Sequence, residues 1–130
     1  MTEIRVLVGT TDFERSSTFY RDVLGFAVDE HWDDPDGRGT LFRVADGGVI
    51  EVVEDSPHHP AEPPHGVTVA IEVPDVDALH DRIRAAGVEP VEPIGDRPWG
   101  HRNFEIRDPS GLSLVLFTAI DETGRSRNER

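Results

Sequence analysis

The sequence predicts an α+β fold built from two tandem βαβββ modules. Three observations carry that expectation. First, the chain repeats itself: Thr11-Asp12-Phe13-Glu14-Arg15 opens a helical stretch that stops at Gly25, and Pro74-Asp75-Val76-Asp77-Ala78 opens another that stops at Gly87. Late in each copy, Phe42-Arg43-Val44-Ala45-Asp46 answers Phe104-Glu105-Ile106-Arg107-Asp108 at an offset of about 62 residues (Gly25 to Gly87, Phe42 to Phe104). Second, an alternating strand precedes each helix, and strand-like sequence follows it. Third, residues 55–66 hold four prolines, Pro57, Pro60, Pro63 and Pro64, which mark a stiff connection between the copies.

The elements follow in order. Ile4, Val6 and Val8 alternate with Arg5, Leu7 and Gly9, as a strand with one apolar face does. Thr11 or Asp12 can cap the next helix, Gly25 can end it, and Phe13, Ser17, Tyr20 and Leu24 share one of its faces. Strands are predicted at about 26–32, 39–45 and 49–54, with an acidic turn over Asp33–Gly37 and a second turn over Asp46-Gly47-Gly48. In the second copy Val67, Val69, Ile71 and Val73 form the alternating strand. Asp75 caps a helix with a Val76, Leu79, Ile83 and Ala86 stripe, and strands follow at about 89–94, 101–107 and 112–118. The domain reading is one domain over 1–118, with modules at 3–54 and 66–118, a linker over 55–65, and a polar, flexible tail over 119–130.

Each sheet should have one face under its helix, carried by Ile4/Val6/Val8, Ile50/Val52, Val67/Val69/Ile71 and Leu112/Leu114/Leu116. The opposite face carries Arg5/Leu7/Gly9, Val49/Glu51/Val53, Thr68/Ala70/Glu72 and Ser113/Val115/Phe117. That face is too apolar for open water and too polar for a core. Two such sheets facing each other would line a cleft for a small ligand.

Composition bounds the partners. The formal net charge is −13, with thirteen basic residues that are all Arg, so nucleic acid is disfavoured and a neutral or cationic guest is favoured. Cysteine is absent, which excludes disulfides and thiolate metal sites. No apolar run approaches a bilayer span and no signal-peptide profile opens the chain, so a cytoplasmic location without membrane contact is expected.

The stretches Asp12–Ser16, Phe19-Tyr20-Arg21-Asp22-Val23-Leu24-Gly25-Phe26, Val76–Leu79, Pro98-Trp99-Gly100 and Asp108-Pro109-Ser110-Gly111 together resemble the vicinal oxygen chelate superfamily. That superfamily contains glyoxalase I, the bleomycin-resistance proteins and extradiol dioxygenases, and the resemblance covers roughly residues 3–118. It implies paired four-stranded mixed sheets with outer helices and, for chains of this length, a homodimer. It also implies four metal-ligand positions in the enzymes, which fall here on Arg5, Glu51, Thr68 and Val115. Only Glu51 is a competent donor. Arg5 is a permanent cation, Val115 has no lone pair and Thr68 is a poor ligand. A catalytic metal needs about three protein ligands, so neither a metal nor another cofactor is expected. In the family's sheet the strands bearing Arg5 and Glu51 are neighbours. The two residues should pair and either form a plain salt bridge or meet a ligand's carbonyl or hydroxyl.

The remaining candidates are aromatic and imidazole side chains. Trp32 and Trp99 sit near strand ends, where an indole can stack on a planar ligand or simply cap the core. The Pro98-Trp99-Gly100 segment resembles that of bleomycin-resistance proteins. Phe117 should add to the ligand face, whereas Phe42 and Phe104 could equally point to the helix layer. His31 and His101 lie on strands, where either could serve as a hydrogen-bonding residue or a pH-sensitive base, His80 should be solvated, and His58, His59 and His65 read as exposed linker residues. The ligand-binding set is therefore Arg5, Leu7, Trp32, Glu51, Thr68, Trp99, His101, Ser113, Val115 and Phe117, with no catalytic residue. The expected function is metal-independent binding of a planar, partly hydrophobic small molecule, aromatic or cationic, such as an antibiotic. The alternative is a glyoxalase- or dioxygenase-like enzyme with an atypical or metal-free site.

Overall fold

The computed structural model describes residues 2–121 and 123–127. They form eight strands and two helices in the order β1 (Ile4–Thr10), α1 (Phe13–Thr18, running on as a π-helical turn over Phe19–Val23), β2 (Ala27–Asp34), β3 (Gly37–Ala45), β4 (Gly48–Glu54), β5 (Thr68–Glu72), α2 (Val76–Ala85), β6 (Glu92–Arg97), β7 (His101–Arg107) and β8 (Ser113–Ala119). The strands make two four-stranded mixed sheets, ordered β1-β4-β3-β2 and β5-β8-β7-β6. In each, the first strand pairs parallel with the fourth and the other pairs are antiparallel. This is the α+β, twice-repeated βαβββ architecture read from the sequence.

The chain divides into two compact units. One holds residues up to Gly66 together with Asp108–Leu112, and the other holds Val67–Arg107 and residues from Ser113 onward.

In the first unit the Asp12 carboxylate caps α1 by accepting from Arg15 N at 3.1 Å. Gly25, at φ +77°, ends the helical stretch in the left-handed region. Phe13, Ser17, Tyr20 and Leu24 are all buried, as the helical spacing predicts, against Phe42, Ile50 and Val52 of the sheet. The helix widens where Leu24 N donates to Phe19 O, five residues back, which brings Phe19 into the core beside Tyr20.

The Asp108–Leu112 loop completes this unit. Tyr20 Oη donates to Asp108 Oδ2 at 2.6 Å, while Asp108 Oδ1 accepts from Ser110 N, Ser110 Oγ and Leu112 N. A carboxylate that is 4 % exposed thus has four donors. Burial, and then the negative charge of Asp108, push the Tyr20 hydroxyl well above the ordinary phenol range.

The connection 55–65 is built onto the same unit. Asp55 N donates to Thr10 O, and Asp55 Oδ1 accepts from Ala61 N at 2.7 Å. Ser56 and His59 exchange two backbone hydrogen bonds, closing a tight turn.

In the second unit Asp75 caps α2 by accepting from Ala78 N at 3.0 Å, and Gly87 adopts φ +87° beyond its end. Val76 and Ile83 are buried with Phe104, Ile106, Leu114 and Leu116. Arg102 on β7 donates to both carboxylate oxygens of Asp77 on α2 and to Asp96 on β6. These bonds hold the Asp77 carboxyl below the ordinary carboxylate range.

Several expectations need correction. Ile4 is 74 % exposed rather than covered, because its cross-strand neighbour Gly48 has no side chain to pack on. Val67 lies before β5 and is exposed. Ala86 is exposed past the end of α2, and Leu79 is only half-buried. His80 is not solvated. It lies four residues after Val76 and three before Ile83, on the inner face, with its ring edge-on to Phe104 at 5.2 Å. Asp33 and Asp34 belong to β2, and the hairpin turn shrinks to Pro35–Asp36. β6 begins later than predicted, because Pro90 and Pro93 cannot donate to a ladder and a bulge separates Glu92 from Gly95. Of the segment 119–130, residue 122 and residues 128–130 lie outside the described residues. Within the rest, Ile120 is buried and bridges to Ser126, and Asp121 N donates to Arg125 O.

No helix among the described residues is long and apolar enough to cross a membrane.

Candidate functional site

Strand register decides which side chains share a face. On the first sheet, Leu7 sits opposite Glu51, which sits opposite Leu41, and the next row runs Gly9, Val53, Gly39, Trp32. Arg5 pairs with Val49 one row away on the same face. Arg5, Leu7, Trp32 and Glu51 therefore share the face turned away from α1. The inner face of the same sheet carries Phe42 and His31. His31 lies 6.4 Å from Phe13, with Nδ1 3.4 Å from Thr40 Oγ1, which removes it from the ligand face.

Arg5 and Glu51 are paired as expected. Arg5 Nη1 donates to Glu51 Oε1 at 2.9 Å, while Arg5 Nε and Nη2 reach Glu3. Hydrogen bonds to these two carboxylates raise the Arg5 pKa further above its already high value. The Glu51 residue is only 8 % exposed, so its charge is largely desolvated and depends on that guanidinium. The Arg5 side chain is 41 % exposed and can turn to a guest without leaving water. Arg5→Ala should weaken ligand binding and, by leaving the Glu51 carboxylate without its cation, also lower the melting temperature, whereas Arg5→Ala/Glu51→Gln should recover the melt but not the affinity. Calorimetric titration beside thermal melts checks this, and unchanged affinity in either variant would refute the binding role of Arg5.

Trp32 lies flat across Gly39: a Cβ built on that glycine would overlap the indole at Cζ2 and Cε2. A glycine inside a strand signals such a close approach, so Gly39 was the sequence signal for the indole's resting place. Beside the indole is a groove of about 280 Å³ lined by Trp32, Val53, Glu51, Glu54, His58 and His59, among others. His58 and His59 are exposed, as expected of the connection, and also border this groove. The Ser56–His59 turn, held by its paired backbone bonds, puts them there.

On the second sheet, Thr68, Ser113 and Arg107 form one row, Ala70, Val115 and Glu105 the next, and Glu72, Phe117 and Asn103 a third. All face away from α2. His101 stacks on Phe117 with ring centroids 4.1 Å apart and planes 10° apart. Ser113 Oγ donates to Glu105 Oε2 at 2.6 Å, and Asn103 Oδ1 accepts from Arg97 Nε at 2.8 Å. Thr68 is exposed on the edge strand. Phe104 points into the helix layer, as Phe42 does in the first unit. Trp99 stands in the β6–β7 turn, 65 % exposed, and borders a groove of about 860 Å³ with Arg97, Pro98 and Ile120. The ten sequence-derived ligand residues therefore fall into two sets, Arg5, Leu7, Trp32 and Glu51 on one sheet and the other six in the second unit.

The donor set does not fit a metal. Of Arg5, Glu51, Thr68 and Val115, only Glu51 is a strong donor, and one of its oxygens already accepts from Arg5. Among the described residues, no group of three or more His, Asp or Glu side chains could hold a metal ion.

Comparison with known proteins agrees with this architecture. A search of curated protein sequences returns no match. Among solved structures, TioX from Micromonospora sp. ML1 is 25 % identical, with 90 % of this chain and 98 % of that chain covered at a TM-score of 0.72. A glyoxalase/bleomycin resistance protein/dioxygenase from Nocardioides is 26 % identical over 94 % of this chain and 85 % of that chain, at a TM-score of 0.69. TnmS3 from Streptomyces sp. CB03234, described as an antibiotic binding protein, is 24 % identical over 89 % of this chain and 93 % of that chain, at a TM-score of 0.71. The model of one superfamily matches residues 4–116, nearly the whole repeat. The chain belongs to the Glyoxalase/Bleomycin resistance protein/Dioxygenase superfamily.

Proposed function

We propose that this chain is a metal-independent binding protein that sequesters a planar, partly hydrophobic small molecule, such as an antibiotic. The observation that carries the proposal is the ion pair between Arg5 and Glu51 at 2.9 Å. The resemblance puts it at two of the four positions where the superfamily's metalloenzymes place ligands, with Thr68 and Val115 at the others. The guanidinium is shared between Glu3 and Glu51, so the cluster offers a guest's carbonyl or hydroxyl hydrogen-bonding groups rather than a metal's uncompensated charge. On the same sheet face as the pair lie the apolar and aromatic Leu7, Val53 and Trp32, and within the second unit Val115 and Phe117 share a face of their own sheet; each surface suits a flat guest. TnmS3 shares the fold and is described as antibiotic binding.

Binding alone suffices for protection, since it lowers the free concentration of a toxic compound. The reading includes a homodimer as the working assembly, which light scattering would check by mass. Thermal-shift measurements against planar natural products, with metal analysis of the same preparation, test the function. A ligand present at a hundred times its Kd should stabilise the native state by about 2.7 kcal/mol, and the shift should survive exhaustive chelation. Stoichiometric metal, with turnover or binding that chelation abolishes, would overturn the proposal.

A further inference from the structure

The first unit contains more of a site than the family's ligand positions account for. The groove beside Trp32 has one aromatic wall, fixed because the indole rests on Gly39. The histidines form another part of its lining, and the turn that carries them is not loose. Ser56 N donates to His59 O and His59 N donates back to Ser56 O, while the flanking Asp55 is tied to Thr10 and Ala61. The rest of the lining includes Val53, which is apolar and buried, four carboxylates, Asp34, Asp36, Glu51 and Glu54, and Arg38, whose guanidinium already donates to Glu54 and Glu14. Glu51 gives one oxygen to Arg5 and Glu54 gives one to Arg38, so each retains a second oxygen as an acceptor.

The chemistry of this lining is selective. Indole and imidazole faces accommodate a flat ring. Ionised carboxylates accept hydrogen bonds and donate none, so they reward hydroxyl or amino groups on that ring and penalise bare ethers. A volume of about 280 Å³ sits at the lower bound of ordinary ligand pockets, roughly 300–1,000 Å³. It admits one ring system rather than a whole natural product.

We propose that this groove is a subsite for a single planar ring bearing hydrogen-bond donors, with His58 and His59 as specificity-determining wall residues. The inference rests on the small-molecule-binding reading above and narrows its ligand class. It also assigns a role to two residues that the sequence presents as plain linker.

Nuclear magnetic resonance titration of the full chain tests it, following the indole Nε1–H signals, which a Trp99→Phe variant assigns to Trp32 and Trp99. The probes are 2,3-dihydroxynaphthalene and its dimethoxy analogue. The dihydroxy compound should shift the Trp32 signal and bind at least tenfold more tightly than the dimethoxy compound. A His58→Ala/His59→Ala variant should lose at least fivefold in affinity for the dihydroxy probe at an unchanged melting temperature. Equal affinity for the two probes would overturn donor recognition while leaving a planar-ligand protein. Unchanged affinity in the double variant would overturn the role of the histidines. If neither naphthalene moves the Trp32 signal while larger planar compounds still raise the melting temperature, the subsite is wrong and the binding function stands. If nothing planar stabilises the chain, both fail.

Discussion

Asp108→Ala should be the most damaging single substitution in the first unit, costing about 3–5 kcal/mol and lowering the melting temperature by roughly 10–20 °C. The carboxylate is nearly fully buried and serves four donors, Tyr20 Oη, Ser110 N, Ser110 Oγ and Leu112 N. Removing it leaves a phenol and two backbone N–H groups without acceptors where water is scarce, and each such orphan costs about 1–3 kcal/mol. Asp108→Asn keeps one oxygen for the loop donors and should cost less, about 1–2 kcal/mol. Urea unfolding of the three proteins checks the order. A loss below 1 kcal/mol for the alanine variant would mean that this hydrogen-bond cluster does not hold the loop.

The same pair sets a limit at alkaline pH. Tyr20 is the sole tyrosine, so phenolate absorbance reports on it alone. Its folded pKa is raised, so its contribution to stability is complete below the unfolded phenol value of about 10 and is lost as pH rises through the folded one. Ionisation in the native protein should therefore lag behind that of a model phenol and coincide with alkaline unfolding.

Gly39→Ala should have the largest effect on binding. The new Cβ would occupy the space of the Trp32 six-membered ring, and the indole must leave the strand. Trp32 fluorescence should move to the red as the ring enters water. Affinity for a planar ligand should fall at least tenfold, about 1.4 kcal/mol. Fold stability should change less, because an indole near the surface can rotate away where a core side chain cannot. In a Trp32→Ala background the same Gly39 substitution should have almost no further effect on affinity. A double-mutant cycle that shows additivity instead would mean that Gly39 acts through something other than the indole.

The sequence made the architecture legible because its signals were local and occurred twice. Asp12 and Asp75 as caps, Gly25 and Gly87 as stops, and the alternating sequence of β1 and β5 each fix an element with nearby residues alone. The Arg5–Glu51 pair was legible through the resemblance, which makes their strands neighbours. What was not legible depends on distant neighbours. Ile4 reads as core until Gly48 is seen beside it, and His80 reads as polar surface until Phe104 is seen under its edge. His58 and His59 read as linker because a proline-rich stretch suggests a spacer, and only the paired hydrogen bonds of the Ser56–His59 turn show a formed structure. Trp32 was singled out correctly, but the glycine that determines how it lies sits on the next strand and carries no chemistry of its own.

The assignment of Asp108–Leu112 to the first unit has a consequence for how such a chain can evolve. The text of the sequence is a duplication, yet the second copy spells out five residues that finish the first. A gene cut at the boundary near Gly66 would not yield two self-sufficient halves, since the first would lack the acceptor for its own tyrosine. Once that dependence had arisen, the repeats could no longer be inherited separately. A circular permutant opened at the Gly66–Val67 junction keeps both contributions, whereas a split protein must be reassembled from its fragments before either is whole.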